Sequence, residues 1–155
     1  MKRNENLLNE SVAEVALVYR SKIRPSERLQ VICSRQMASI FRSVWSADNI
    51  ELLEECKVMY LNKGNRVLAI YPLSQGGISS TVVDIKLIMV GALRLNATQI
   101  CICHNHPSGT VRPSEADRSL TVKIQAASVF MDIRLIDHII ITKDSYYSMS
   151  DQGDI

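Results

Sequence analysis

Ile100-Cys101-Ile102-Cys103-His104-Asn105-His106-Pro107 is the stretch on which the fold turns. A short apolar run ends in two imidazoles spaced two apart, and a proline follows them. Along a strand, residues i and i+2 point to the same side. His104 and His106 therefore reach one cation from a strand end, while Cys101 and Cys103 face the other way. Asp117 follows eleven residues after His106. Three such donors with one position left for water make the usual ligand count of a hydrolytic zinc site. Two other readings stand beside it. A histidine can be a hydrogen-bonded structural residue, and Asp117 also suits the third position of a helix capped by Ser114.

Working outward, Gln99 to Cys103 reads as a short central strand. Pro107-Ser108-Gly109 turns the chain, and Ser114 starts a helix running to about Val129. Arg134 to Thr142, rich in isoleucine, reads as a strand, and Tyr146 to Met149 as a last one. Upstream, Asp84 caps a helix whose apolar positions are Leu87, Ile88, Val90, Ala92, Leu93 and Leu95, with Asn96 at its end. Val58 to Leu61 and Val67 to Tyr71 flank Asn62-Lys63-Gly64-Asn65, a hairpin around a glycine turn. Gln75-Gly76-Gly77 marks a further turn. Ser34 is the expected N-cap of a helix to about Trp45, with Met37, Ile40, Phe41 and Val44 on its apolar face. Val12 to Tyr19 leans toward strand, and Ile23 to Arg28 toward connection. Strands alternating with helices predict an α/β fold, a mixed β-sheet flanked by helices.

The 155 residues fit one domain, with 46% apolar residues to build its core. We expect the domain over 12–149, with polar tails at 1–11 and 150–155 that fray. A formal charge of +2 and the lack of a lysine and arginine run neither demand nor exclude nucleic acid. Four cysteines form no Cys-x-x-Cys pair. No leader pattern is evident, and no segment has the roughly 20 apolar residues that cross a membrane. A reduced, cytoplasmic setting is expected.

His104-x-His106-Pro107 followed by Ser114-x-x-Asp117 resembles the JAMM motif of the JAB/MPN metalloprotease superfamily. His104-Asn105-His106-Pro107-Ser108-Gly109, then Pro113-Ser114, resembles its RadC-like branch more narrowly. So do Gly76-Gly77 to Asp84, Asp137-His138-Ile139-Ile140 and Tyr146-Tyr147-Ser148. The resemblance runs from about Val12 to Met149 and implies a cytidine-deaminase-like architecture. It implies one zinc ion on His104, His106 and Asp117. It also implies a catalytic glutamate eleven residues before the asparagine of the hairpin turn. Glu54 and Glu55 are the two candidates; counting back from Asn65 favours Glu54, with Glu55 as its outward neighbour. Cys56 and Lys57 stand where family members often carry aromatics. Longer members have an extra N-terminal helical domain that this chain is expected to lack.

The activity so implied is hydrolysis of a peptide or isopeptide bond, with Glu54 as base and Ser114 at the oxyanion. The Ser114 hydroxyl could equally cap its helix, and the two roles compete for it. His138 is expected to support the sheet or to donate a hydrogen bond that orients a ligand, and Asn105 to shape the loop. Lys57, Lys63 and Arg66 read as solvated surface or recognition elements. The expected partner is a peptide or protein substrate, including an isopeptide-linked tail. A homodimer is an open expectation. A DNA-associated role, with Arg112, Arg118 and Lys123 on phosphates, is the alternative, and a non-catalytic scaffold is the third reading. The His-x-Glu and Pro-Cys-x-x-Cys signature of base deaminases is absent.

Overall fold

The computed structural model describes residues 18–76 and 82–155. Within them three helices and five strands follow one another as α1 (Ser34–Ser43), β1 (Glu55–Leu61), β2 (Val67–Gln75), α2 (Ile85–Arg94), β3 (Gln99–Asn105), α3 (Glu115–Phe130), β4 (Arg134–Ile141) and β5 (Tyr146–Ser148). The strands form one mixed sheet in the order β2-β1-β3-β4-β5, with only β3 and β4 parallel. β3 is central, as its unbroken apolar run predicts. This is the α/β sheet expected from the alternation of periods.

Each face of the sheet carries its own core. On one face, Val58, Tyr60, Ile100 and Ile102 pack with Ile88, Met89 and Ala92 of α2 and Ile124 of α3. On the other, Met59, Leu61, Cys101, Cys103, Ile139 and Ile141 pack with Met37, Ala38 and Phe41 of α1 and with Trp45. Strand parity decides the sorting, so Cys101 and Cys103 do look away from the His104 side. α2 lies close against β1 because Gly91 has no side chain: a Cβ there would sit 2.2 Å from the Tyr60 hydroxyl.

Asp84 caps α2 through the Lys86 amide, as expected, and Asn96 ends that turn with a left-handed backbone. Three local readings change. The N-cap of α1 is Cys33, and Ser34 is its first residue. The Ser34 hydroxyl donates instead to Asp151, a partner far along the chain that local spacing cannot reveal. The hairpin turn takes its left-handed residue at Asn65 (φ 57°) rather than at the glycine, because Asn62 Oδ1 accepts from the amides of Gly64 and Arg66 and closes the loop. Residues 150–155, expected to fray, are tied down by Arg118 to Asp154 at 2.6 Å, by Tyr147 to Asp154 at 2.7 Å and by Ile155 on the core. The expected strand at Val12 to Tyr19 lies outside the described residues up to position 17, and Val18 and Tyr19 belong to no element. Residues 25–27 form a short 3-10 turn inside the expected connection.

Candidate metal centre

β3 carries His104 next to its C-terminal residue, 3% exposed, and His106 just beyond the strand end. Pro107 then begins a turn closed by the Gly109 amide on the His106 carbonyl, with Gly109 at φ 81°. Asp117 arrives from the first turn of α3. The Ser114 hydroxyl accepts from the Asp117 amide at 3.2 Å, and the Ser114 amide donates to Asp117 Oδ2 at 2.7 Å. This capping box satisfies two orphan helix-end groups and fixes the carboxylate. Its other oxygen, Oδ1, lies 3.1 Å from His104 Nε2. The capping reading of Asp117 and its convergence with the histidines are thus one arrangement: the cap aims the carboxylate.

His104 Nε2 and His106 Nε2 are 2.9 Å apart, and the donor atoms of His104, His106 and Asp117 all fall within 4.8 Å of one another. The far nitrogen of each ring is occupied. His106 Nδ1 is 2.7 Å from the Thr110 carbonyl, which can only accept, so Nδ1 carries the hydrogen. His104 Nδ1 is 2.8 Å from Nε2 of His138. Two neutral rings would then turn lone pairs at each other across 2.9 Å beside a carboxylate. A cation between them, proton or metal, is what the donor set fits.

The electrostatics agree. Burial works to raise the Asp117 carboxyl, but hydrogen bonds to His104, His106 and Ser114 hold it well below the usual carboxylate range. The hydrogen bond to Asp117 raises the His106 imidazole against the effect of burial. Burial pushes the fully enclosed His138 well below the usual histidine value, so that ring is neutral. Burial, with Glu54 adding, pushes the Cys56 thiol up to about 12. Burial likewise raises Cys101 and Cys103, so none of the three offers a thiolate.

Glu54 immediately precedes β1. It shares a face with Cys56, whose cross-strand partner is His104. Its charge acts on both His106 and Cys56, and its carbonyl accepts from the Gly76 amide at 2.8 Å. The half-buried Glu54 carboxylate is therefore near enough to the His104-His106-Asp117 cluster for its charge to be felt there. Asn105, between the histidines, points to the opposite face and is fully buried. Its amide nitrogen donates to the carbonyls of Ile50 and Leu53, both at 2.8 Å, and its oxygen accepts from the Glu55 amide at 2.7 Å. That side chain ties the segment that delivers Glu54 to the histidine strand.

A family model for the RadC-like JAB domain matches residues 11–154. The chain belongs to this family. The mixed sheet with its flanking helices is the JAB/MPN-type fold. Similar curated proteins include a UPF0758 protein of Flavobacterium johnsoniae, 45% identical over 100 residues, 64% of this chain and 44% of that protein. The UPF0758 protein YfjY of Escherichia coli is 39% identical over 100 residues, 64% of this chain and 62% of that one. A UPF0758 protein of Clostridium botulinum is 30% identical over 143 residues, 92% of this chain and 61% of that one. The chain thus spans 44 to 62% of the length of these relatives. It combines a JAB domain with a His104-His106-Asp117 cluster whose donor atoms could hold a metal ion. Among the described residues, no helix is long and apolar enough to cross a membrane.

Several residues behave differently from their sequence reading. Glu55 is not an outward neighbour of Glu54. It is 7% exposed and pairs with Lys57 at 2.7 Å, while Lys57 also lies 4.3 Å above the Trp45 ring. Lys57 is accordingly not a solvated recognition element: odd parity turns both side chains into the α1 face. Arg118 is held by Asp154 rather than free for phosphate. The Ser114 hydroxyl donates to Asp117 Oδ2 at 2.6 Å, so its one proton serves the carboxylate here. Thr121 was missed. It lies 2.6 Å from both His138 Nδ1 and the Asp117 carbonyl. Its place four residues after Asp117, on the same helix face, is the signal that would have found it.

Proposed function

We propose that this chain is a zinc-dependent peptidase of the JAMM type, cleaving a peptide or isopeptide bond. One observation carries the reading: two imidazole nitrogens and a carboxylate oxygen converge, with the Nδ1 hydrogen of His106 committed to a carbonyl. His104, His106 and Asp117 would hold the ion. When bound, zinc supplies a Lewis acid that polarises the scissile carbonyl and makes water acidic near neutral pH.

The chain's own residues supply the rest. Glu54 takes a proton from the attacking water and returns it to the departing amine. Asn105 keeps Glu54 at a fixed height against β3 by holding both ends of the preceding turn. Ser114 orients Asp117 through the capping box. In the tetrahedral state its hydroxyl can turn from Oδ2 toward the developing oxyanion, while its backbone amide keeps the carboxylate in place. Burial of His104 and the closed turn at Pro107 keep the donor atoms in one geometry without substrate.

The test is the zinc content of freshly purified protein beside His104→Ala and Glu54→Gln, followed by peptide and isopeptide hydrolysis. About one zinc in the wild type and in Glu54→Gln, lost in His104→Ala, supports the site. Hydrolysis abolished in both variants supports the reaction. A wild type that takes up no zinc even after reconstitution overturns the reading.

A further inference from the structure

We propose that His138 and Thr121 form a tautomer lock, holding His104 as the Nδ1–H imidazole and linking that ring to the backbone of Asp117. This rests on the reading that His104 and Asp117 share a metal ion. The polarity of the chain follows from its end. A carbonyl oxygen cannot donate, so at 2.6 Å the Thr121 hydroxyl must give its only hydrogen to Asp117 O. The weaker sulfur acceptor of Met149, at 3.4 Å, does not compete. Having spent its hydrogen, the hydroxyl oxygen can only accept from His138 Nδ1, also at 2.6 Å. His138 therefore carries its hydrogen on Nδ1 and presents a bare Nε2. At 2.8 Å, that atom accepts from His104 Nδ1. His104 Nε2 is left as a lone pair facing Asp117 and His106.

Reversing the chain has a definite cost. If Thr121 donated to His138, two oxygens would face each other at 2.6 Å with no hydrogen between them. His104 would then carry its hydrogen on Nε2, where it would block the metal. His138 thus accepts from the ligand rather than donating to it, and a helix hydroxyl one turn beyond Asp117 sets the tautomer of a strand residue. All three residues are at most 3% exposed, so water competes little for these bonds.

A backbone irregularity makes the contact possible. β4 pairs with β3 as Ile100 to Leu135 and then Cys101 to Asp137, leaving Ile136 as an extra residue. Were Ile136 paired in regular register opposite Cys101, His138 would fall opposite Cys103 and face the α1 side. With Ile136 outside the ladder, His138 falls opposite Ile102 and turns toward His104.

The experiment uses the full chain. Zinc affinity is measured by competition with a chelating dye for the wild type, Thr121→Val, Thr121→Ser and His138→Leu. The tautomers of His104 and His138 are read by two-bond 1H–15N correlation in zinc-loaded and chelator-stripped protein. Thr121→Val keeps the volume but cannot accept, so it should bind zinc about 10- to 100-fold more weakly, as should His138→Leu. Thr121→Ser should stay within about threefold of the wild type, a rescue that simple packing does not predict. Both wild-type rings should show hydrogen on Nδ1. A wild type that binds zinc no better than Thr121→Val overturns the lock. If the wild type takes no zinc the peptidase reading fails, and the tautomers of the stripped protein then decide the lock alone. Hydrogen on Nε2 of His138 would overturn it, and this holds even if the variants do not fold.

Discussion

Replacing Asn105 by alanine removes one side chain and orphans three backbone groups at once. Ile50 O and Leu53 O lose their donor, and the Glu55 amide loses its acceptor. Two of these bonds are buried and the third is partly so. At about 1 kcal/mol net for each bond, the loss is about 3 kcal/mol, and unpaired buried groups raise it toward about 5. With an m-value near 2 kcal/mol/M, urea unfolding should move to a midpoint about 1.5 M lower. The substitution touches no metal donor, because Asn105 faces away from His104 and His106. Zinc stoichiometry should therefore stay near one while hydrolysis falls, since Glu54 follows the loosened segment. A midpoint within about 0.3 M of the wild type would refute the clamp, as would zinc lost in proportion to activity.

Ser114→Ala removes the side-chain half of the capping box and should cost about 1 kcal/mol in urea unfolding, with weaker zinc binding because Asp117 Oδ2 keeps only its backbone donor. Lys57→Ala leaves Glu55 charged and without its partner in the α1 face, and should destabilise by about 3 kcal/mol. The double change Glu55→Gln with Lys57→Met should recover much of that, so a double variant no better than Lys57→Ala would argue against the buried pair. Burial raises the Asp137 carboxyl above its ordinary value despite hydrogen bonds from Ser148 and Ser150. The folded protein therefore binds that proton more tightly than the unfolded chain does. Stability from this group rises as pH falls from the raised value toward the ordinary one near 3.8. Asp137→Asn should lack that gain, so the wild type should improve relative to it on acidification across that window in calorimetric titration.

The strand-then-turn reading of Gln99 to Pro107 located both the central strand and the histidine pair, because period-two alternation survives in any fold that uses it. Asp84, Ser114 and Asn96 were legible for the same reason: helix ends are local. The α1 cap was not, since Ser34 is recruited by Asp151 more than a hundred residues on. Glu55 and Lys57 look like surface charges in a list of residue types. Only the parity of β1 and the nearby indole show that they are sealed in. The ordering of His138 depended on a β-bulge, and nothing in the run Arg134 to Ile141 marks where the extra residue falls.

That extra residue has a consequence for how the family can vary. A bulge residue is a spare in the ladder: the strand beyond it can keep its pairing whether the spare is present or not. Ile136 can be exchanged for another apolar residue with little effect on the histidines. Deleting it would leave a regular strand in which Asp137 stays opposite Cys101 and His138 stays opposite Ile102. A strand one residue shorter between Leu135 and His138 should thus still present this histidine to His104.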